Sequence, residues 1–283
     1  MRILLFGGNG CFGTELVEFC KKKKLNLHYY SSKKLDIKNF SKVKNIISSL
    51  NPNLIINSAA MVGINNCEKN YIDAFELNTI ATLNLAKICE KRKITLIQIS
   101  THAIFDGTKK GRYLESDISR PNNVYSGTKY LSEMFTKSIC QKYYVIRFPS
   151  LYGKKNNING FFNKAIISLK KNKTLRVAHD KIDSPTYAKD AANQLVNLIK
   201  SKKKYGTYHI SNSGKANYFE FILYLKKLMN SKSKIIPVKD SYFKSKGFKI
   251  LNASLKSNKL KHLRSWKLAI QDYVKCNQEI INP

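Results

Sequence analysis

The feature that most constrains this chain is a short apolar run that breaks into glycines. Arg2-Ile-Leu-Leu-Phe6 is followed at once by Gly7-Gly-Asn-Gly-Cys-Phe-Gly13. Consecutive apolar residues suit a strand buried on both faces, the strand type of a parallel sheet. Glycines at 7, 10 and 13 permit a tight turn and a close approach of helix to strand. A helix read from Thr14 to Cys20 then offers free backbone N–H groups to an anion. Both Gly8-x-Gly10-x-x-Gly13 and Gly7-x-x-Gly10-x-x-Gly13 fit the turn that cradles a dinucleotide pyrophosphate.

The first 150 residues keep this rhythm. Strands are expected at 25–30, 53–57, 94–100 and 144–148, and helices at 40–50, 71–91 and 125–138. The long helix carries Ala74, Leu77, Ala81, Leu85 and Ile88 on one face. Strands alternating with helices predict an α/β fold, a Rossmann-type doubly wound parallel sheet over 1–150, with 181–204 returning to it. Residues 151–283 form a smaller C-terminal substrate lobe, and the site lies in the cleft between the two.

Several classes fall away. No apolar run approaches the ~20 residues that cross a bilayer. Met1–Phe6 enters the glycine turn without a basic leader or cleavage site, so it is not a signal peptide. Cysteines 11, 20, 67, 89, 140 and 276 form no CxxC pair and join no histidine cluster. No metal and no disulfide framework are expected, and the compartment is a reducing cytoplasm. The net charge of +33 invites a nucleic-acid partner, yet only seven of the 51 cations are arginine and the lysines are spread throughout. Base and phosphate recognition favours the arginine fork. The charge is therefore read as composition bias, with no nucleic-acid partner, though it can steer an anionic substrate at low salt.

Chemistry enters at three places. The end of the second strand, Tyr30-Ser-Ser-Lys-Lys34, lacks the acid that would hold ribose hydroxyls. Hydroxyls such as Ser31 and the neighbouring cations favour a 2′-phosphate, so NADPH is expected, with NADH open. Tyr125-Ser-Gly-Thr-Lys129 sets a phenol and an ammonium on one helix face. A nearby ammonium is expected to lower the phenol's pKa from about 10. Ser100-Thr101 ends the fourth strand at the carboxyl edge, where a hydroxyl can polarise a substrate oxygen.

These and further stretches resemble the extended short-chain dehydrogenase/reductases, and within them the dTDP-4-dehydrorhamnose reductase family. The matching segments include Leu35-Asp-Ile37, Ile56-Asn-Ser-Ala-Ala60, Cys67-Glu68, Asn78, Ile99-Ser-Thr-His-Ala-Ile-Phe-Asp-Gly107, Pro121–Lys129 and Arg147–Gly153. Asp183-Ser-Pro-Thr-Tyr187 and Gly206-Thr-Tyr-His-Ile210 continue the match over nearly the whole chain. The resemblance implies NAD(P)H-dependent reduction of the C4 ketone of a nucleotide-linked 4-keto-6-deoxyhexose, in deoxysugar and surface-polysaccharide biosynthesis. Tyr125 would be the general acid, Lys129 would tune it and hold the nicotinamide ribose, and Thr101 would bond the ketone. Gly7, Gly10, Cys11 and Phe12 map to the pyrophosphate turn, Asp36 and Ile37 to the adenine side, and Ala59, Ala60 and Met61 to the strand-three edge.

Three departures concern the sugar side. His102 stands where the family usually has Asp, Ser150 where rhamnose reductases have Trp, and Lys249-Ile250 where an Arg-Pro is usual. His102 and Ser150 are candidate substrate contacts, and a UDP- or GDP-linked or N-acetylated sugar stays open. The 4,6-dehydratases need an Asp-Glu pair that His102-Ala103 lacks. A nucleotide-sugar epimerase and a non-catalytic NADP-binding regulatory subunit are the alternatives, and a homodimer is the assembly considered.

Overall fold

In the computed structural model, which describes residues 1–153 and 161–277, the opening apolar run is strand β1 (Ile3–Phe6), buried throughout. It lies between β2 (Leu27–Tyr30) and β3 (Leu54–Asn57), with Leu5 beside Tyr29 on one side and Ile56 on the other. Beyond β3 the sheet continues through β4 (Thr95–Thr101), β5 (Tyr143–Phe148) and the strand Gly206–His209, every pairing parallel. The chain runs outward from β1 to β2, then passes back over β1 to β3. That reversal opens a crevice at the carboxyl ends of the strands, which is where doubly wound sheets take ligands.

Both faces are covered. Helix α1 (Cys11–Lys22) and the helix Ala188–Lys200 lay Leu16, Val17, Leu195 and Val196 over Leu5, Ile56 and Ile97. On the other face α2 (Phe40–Leu50) and the helix Ala81–Lys91 pack Val43, Ile47 and Leu85 against Leu4, Phe6 and Ile55. Helix α1 starts earlier than the Thr14 suggested by sequence, because the Gly10 carbonyl already accepts from the Thr14 N–H. Its first turn receives no side-chain cap, so its N–H groups face the crevice unspent.

Two expectations need correction. The helix expected over 71–91 is interrupted: Tyr71–Phe75 passes through a π-helical turn, Glu76–Ile80, before Ala81–Lys91. Such turns are rare and often mark functional positions. Here the turn carries Asn78 inward, where its amide donates to the Met61 carbonyl (3.1 Å) and Thr128 Oγ1 (3.0 Å) and accepts from the Met61 N–H (2.8 Å). The return to the sheet is in part that expected at 181–204, since helix Ala188–Lys200 packs on it, but the flanking strands differ. Ile182–Asp183 pairs with Ala216–Asn217 in the smaller lobe, whereas Gly206–His209 joins the sheet beside β5. The smaller lobe has its own aromatic core of Tyr152, Phe162, Tyr187, Phe221 and Trp266. Among the described residues no helix is long and apolar enough to cross a membrane.

Candidate active site

Two cavities meet along the carboxyl edge of the sheet. The first, of about 430 Å³, is lined by Gly7, Gly10, Ser31, Asp36, Ile37 and Ala59. Gly7 has φ +84°, and a Cβ there would stand 2.7 Å from the Ala59 nitrogen, so glycine is the residue that fits. A Cβ on Gly13 would strike the Gly7 carbonyl. The floor is therefore bare backbone at the uncapped start of α1, a surface on which a pyrophosphate can lie. The residues present fit a dinucleotide. Ser31 is buried at the end of β2, and the Asp36 carboxylate accepts the Lys38 N–H at 2.9 Å. The cations expected here are placed differently: Lys33 and Lys34 are exposed and line neither cavity. The cation at this cavity is Lys38, which bonds Asp73 (3.0 Å) and Glu76 (3.4 Å).

The second cavity, of about 480 Å³, shares Ser58 and Ala60 with the first. It brings Cys11, Phe12, Thr101, His102, Tyr125, Lys129 and Ser150 together. Tyr125 and Lys129 stand on the helix Val124–Ile139, started by a reciprocal cap in which Asn123 accepts the Ser126 N–H (2.8 Å) and Ser126 Oγ accepts the Asn123 N–H (3.1 Å). Thr101 ends β4. Its hydroxyl accepts the Ala103 N–H at 3.1 Å and is hydrogen-bonded to the Tyr125 phenol.

Burial pushes Tyr125 up to about 12, and the bond to Thr101 opposes that only in part. Lys129 donates to the Ile99 carbonyl at 2.6 Å, and burial pushes it down to about 8 against the opposing charge of Glu133. The expected lowering of the phenol by the ammonium is thus not seen. The ammonium is turned to a strand carbonyl, and desolvation decides both groups. Met61 also stands apart, its backbone taken by Asn78, and it lines a third groove of about 1200 Å³ rather than the first cavity.

On the sugar side, His102 Nδ1 lies 3.2 Å from the Phe148 carbonyl. A carbonyl only accepts, so Nδ1 carries the proton. Nε2 faces the Asp183 carboxylate at 3.9 Å. Asp183 is buried and receives the N–H groups of Ser184 (2.7 Å) and Ser150 (3.3 Å). Ser150 Oγ lies 3.2 Å from the Tyr218 hydroxyl. Sequence reasoning missed Tyr218 as a member of this wall and the buried Asp183 behind it. The one available signal was Asn217-x-x-Glu220, a capping box that starts the helix Tyr218–Leu228. The third groove shares Phe161 and Tyr218 with the second cavity. It is lined by Lys164, Arg176, Lys181, Lys244 and Lys249, with Asp240 among them.

A family model described as the RmlD substrate binding domain matches residues 1–278. The chain belongs to the dTDP-4-dehydrorhamnose reductase family. It is similar to the solved dTDP-4-dehydrorhamnose reductase of Clostridium acetobutylicum, with TM-score 0.92 and 31% identity over 98% of this chain and 100% of that one. It is similar also to the Bacillus anthracis dTDP-4-dehydrorhamnose reductase solved in complex with NADP. That likeness has TM-score 0.92 and 29% identity, covering 98% of this chain and 99% of the other. The spore coat polysaccharide biosynthesis protein SpsK of Bacillus subtilis is 26% identical over 96% of each chain. Against the dTDP-4-dehydrorhamnose reductase pattern, all three departures fall away from the glycine floor. His102 and Ser150 line the second cavity and Lys249 the third groove, where its ammonium lies 2.7 Å from the Asp240 carboxylate.

Proposed function

We propose that this protein reduces the C4 ketone of a nucleotide-linked 4-keto-6-deoxyhexose with NADPH, in the biosynthesis of a deoxysugar or surface polysaccharide. The observation that carries this reading is a row of three cavities, each sharing lining residues with the next. A glycine-floored cavity adjoins one lined by Thr101, Tyr125 and Lys129, which adjoins in turn a groove with five cations. NADPH, when bound, supplies the hydride.

Gly7, Gly10 and the first-turn N–H groups of Cys11 and Phe12 hold the pyrophosphate. Ser31, Asp36 and Ile37 take the adenosine end, and Ala59 and Ala60 line the passage to the reacting centre. Thr101 orients the ketone oxygen. Tyr125 gives that oxygen its proton as negative charge develops, and a phenol held up at about 12 is protonated across the physiological range. Lys129 leaves the Ile99 carbonyl to hold the nicotinamide ribose and to stabilise the phenolate that forms. The substrate's phosphates lie among the cations of the third groove, and the sugar meets His102, Ser150 and Tyr218.

NADPH oxidation with a panel of dTDP-, UDP- and GDP-4-keto-6-deoxyhexoses, prepared in situ, tests this. One ketone is turned over, and Tyr125→Phe lowers kcat by roughly 10²- to 10⁴-fold while NADPH still binds. NADPH binding with no ketone consumed would overturn the reading and bring the epimerase or regulatory alternative forward.

A further inference from the structure

Four residues beyond Lys129 on the same helix face, Glu133 is fully buried, and its carboxylate accepts four donors. Oε1 takes Ser100 Oγ at 2.6 Å and Arg147 Nε at 2.9 Å. Oε2 takes Arg147 Nη2 at 2.7 Å and Lys137 Nζ at 2.9 Å. Ser100 directly precedes Thr101, and Arg147 sits opposite Ser100 in the β4–β5 register. One carboxylate therefore ties the helix that carries Tyr125 and Lys129 to the two strands behind Thr101. Arg147 extends the tie: Nη2 donates to Ser119 Oγ (3.3 Å), and Nη1 lies 3.4 Å from His209 Nε2. His209 Nδ1 faces the carbonyls of Tyr113 and Lys256 (3.2 and 3.1 Å) and so carries the proton, leaving Nε2 to accept.

We propose that Glu133, through its pair with Arg147, is a positioning residue for the reduction: it fixes the height of the Tyr125–Lys129 helix against the strand end that bears Thr101. The inference rests on the reductase reading above. Buried ion pairs can often be replaced by apolar residues of similar volume with the fold retained, so stability alone does not require this one. Four donors converging on one carboxylate impose directions that an apolar contact does not. A displacement of ~1 Å at a reacting group can cost ~10²-fold in rate. The pair also bears on the charge of Lys129. Glu133 faces it from its own helix, while Arg147 on β5 and Lys137 one turn on are both spoken for by Glu133. From β4, Lys129 meets the Ile99 carbonyl.

The test uses the full-length protein with NADPH and the accepted ketone, and three variants: Glu133→Gln, Ser100→Ala and the double Glu133→Leu/Arg147→Met. For each, Tm, kcat, sugar KM, NADPH Kd and the pH profile of kcat are measured. The double variant is expected to melt within a few degrees of wild type, with kcat reduced ~10- to 100-fold and Kd and KM within about twofold. Ser100→Ala is expected to stay folded with Tm lowered by some degrees, since a bond to a buried carboxylate is worth about 1.5–3 kcal/mol, and to lose several-fold in kcat. In Glu133→Gln the alkaline limb of kcat moves to lower pH, since the ammonium of Lys129 loses its counter-charge. Wild-type kcat in a folded double variant, or in Ser100→Ala, would overturn the proposal. Should the double variant fail to fold, Ser100→Ala decides alone. A wild-type protein that binds NADPH and turns over no ketone overturns the parent reading first, before any substitution is compared.

Discussion

The cofactor end and the sugar end of the row of cavities are built in opposite ways. At the cofactor end the lining, Leu77 apart, comes from three loops that each follow a strand of the sheet, around Gly7–Gly10, Ser31–Lys38 and Ser58–Ala60, and its glycine floor is backbone. At the sugar end His102, Ser150, Asp183 and Tyr218 come from four separate segments and meet largely through side chains. Backbone geometry cannot change without changing the turn, whereas a side-chain wall can be replaced one residue at a time. That contrast explains why the departures from the family pattern gather at the sugar end while the glycine floor is intact.

Substitutions can break or sharpen the contrast. The largest effect after loss of the Tyr125 hydroxyl is expected from Gly7→Ala. At φ +84°, and with Ala59 nitrogen 2.7 Å from the new Cβ, a left-handed alanine costs roughly 1–2 kcal/mol before any contact is relieved. NADPH affinity should fall ~10- to 100-fold in a fluorescence titration, with sugar KM at saturating NADPH unchanged. A parallel rise in sugar KM would mean that the ends are not separable. Ser150→Ala is the converse. Losing the contact with the Tyr218 hydroxyl, worth about 0.5–1.5 kcal/mol, should raise sugar KM up to ~10-fold and leave NADPH Kd alone.

The smallest effect is one of pH. Lys129 is held down at about 8 by burial, so its ammonium is lost as pH rises through that value, and kcat should fall there. The limb belongs to the shared centre and should coincide for every sugar accepted, which kcat profiles on two substrates would check. Stability runs the other way. An unfolded lysine titrates near 10.4, so between about 8 and 10.4 the unfolded chain binds the extra proton. The penalty of burying this ammonium is relieved over that window, and the Lys129 contribution to stability rises with pH.

What the sequence disclosed follows the same division. The apolar run before Gly7, the glycine spacing and the Tyr125–Lys129 interval are local signals, each readable within a dozen residues, and the elements that carry them are found within a few residues of where they were expected. The π turn at Glu76–Ile80 keeps a helical apolar period, so nothing in the pattern separates it from an ordinary helix. Gly206–His209 is too short to announce which sheet it joins. Tyr218 enters the wall, and Asp183 backs it, through tertiary packing alone, and the pKa of Tyr125 depends on burial that composition does not reveal. The rise of that phenol, where a fall was expected, shows desolvation outweighing a charge that points elsewhere.

The claim that the two ends act independently is tested most directly by a double-mutant cycle on kcat/KM. Ser31→Asp places an acid where a 2′-phosphate would lie, and Ser150→Ala removes a hydroxyl from the sugar wall. The account predicts that the double variant shows the product of the two single effects, within a factor of about two. A coupling of tenfold or more would contradict it, and would mean that the row of cavities responds to its ligands as one unit.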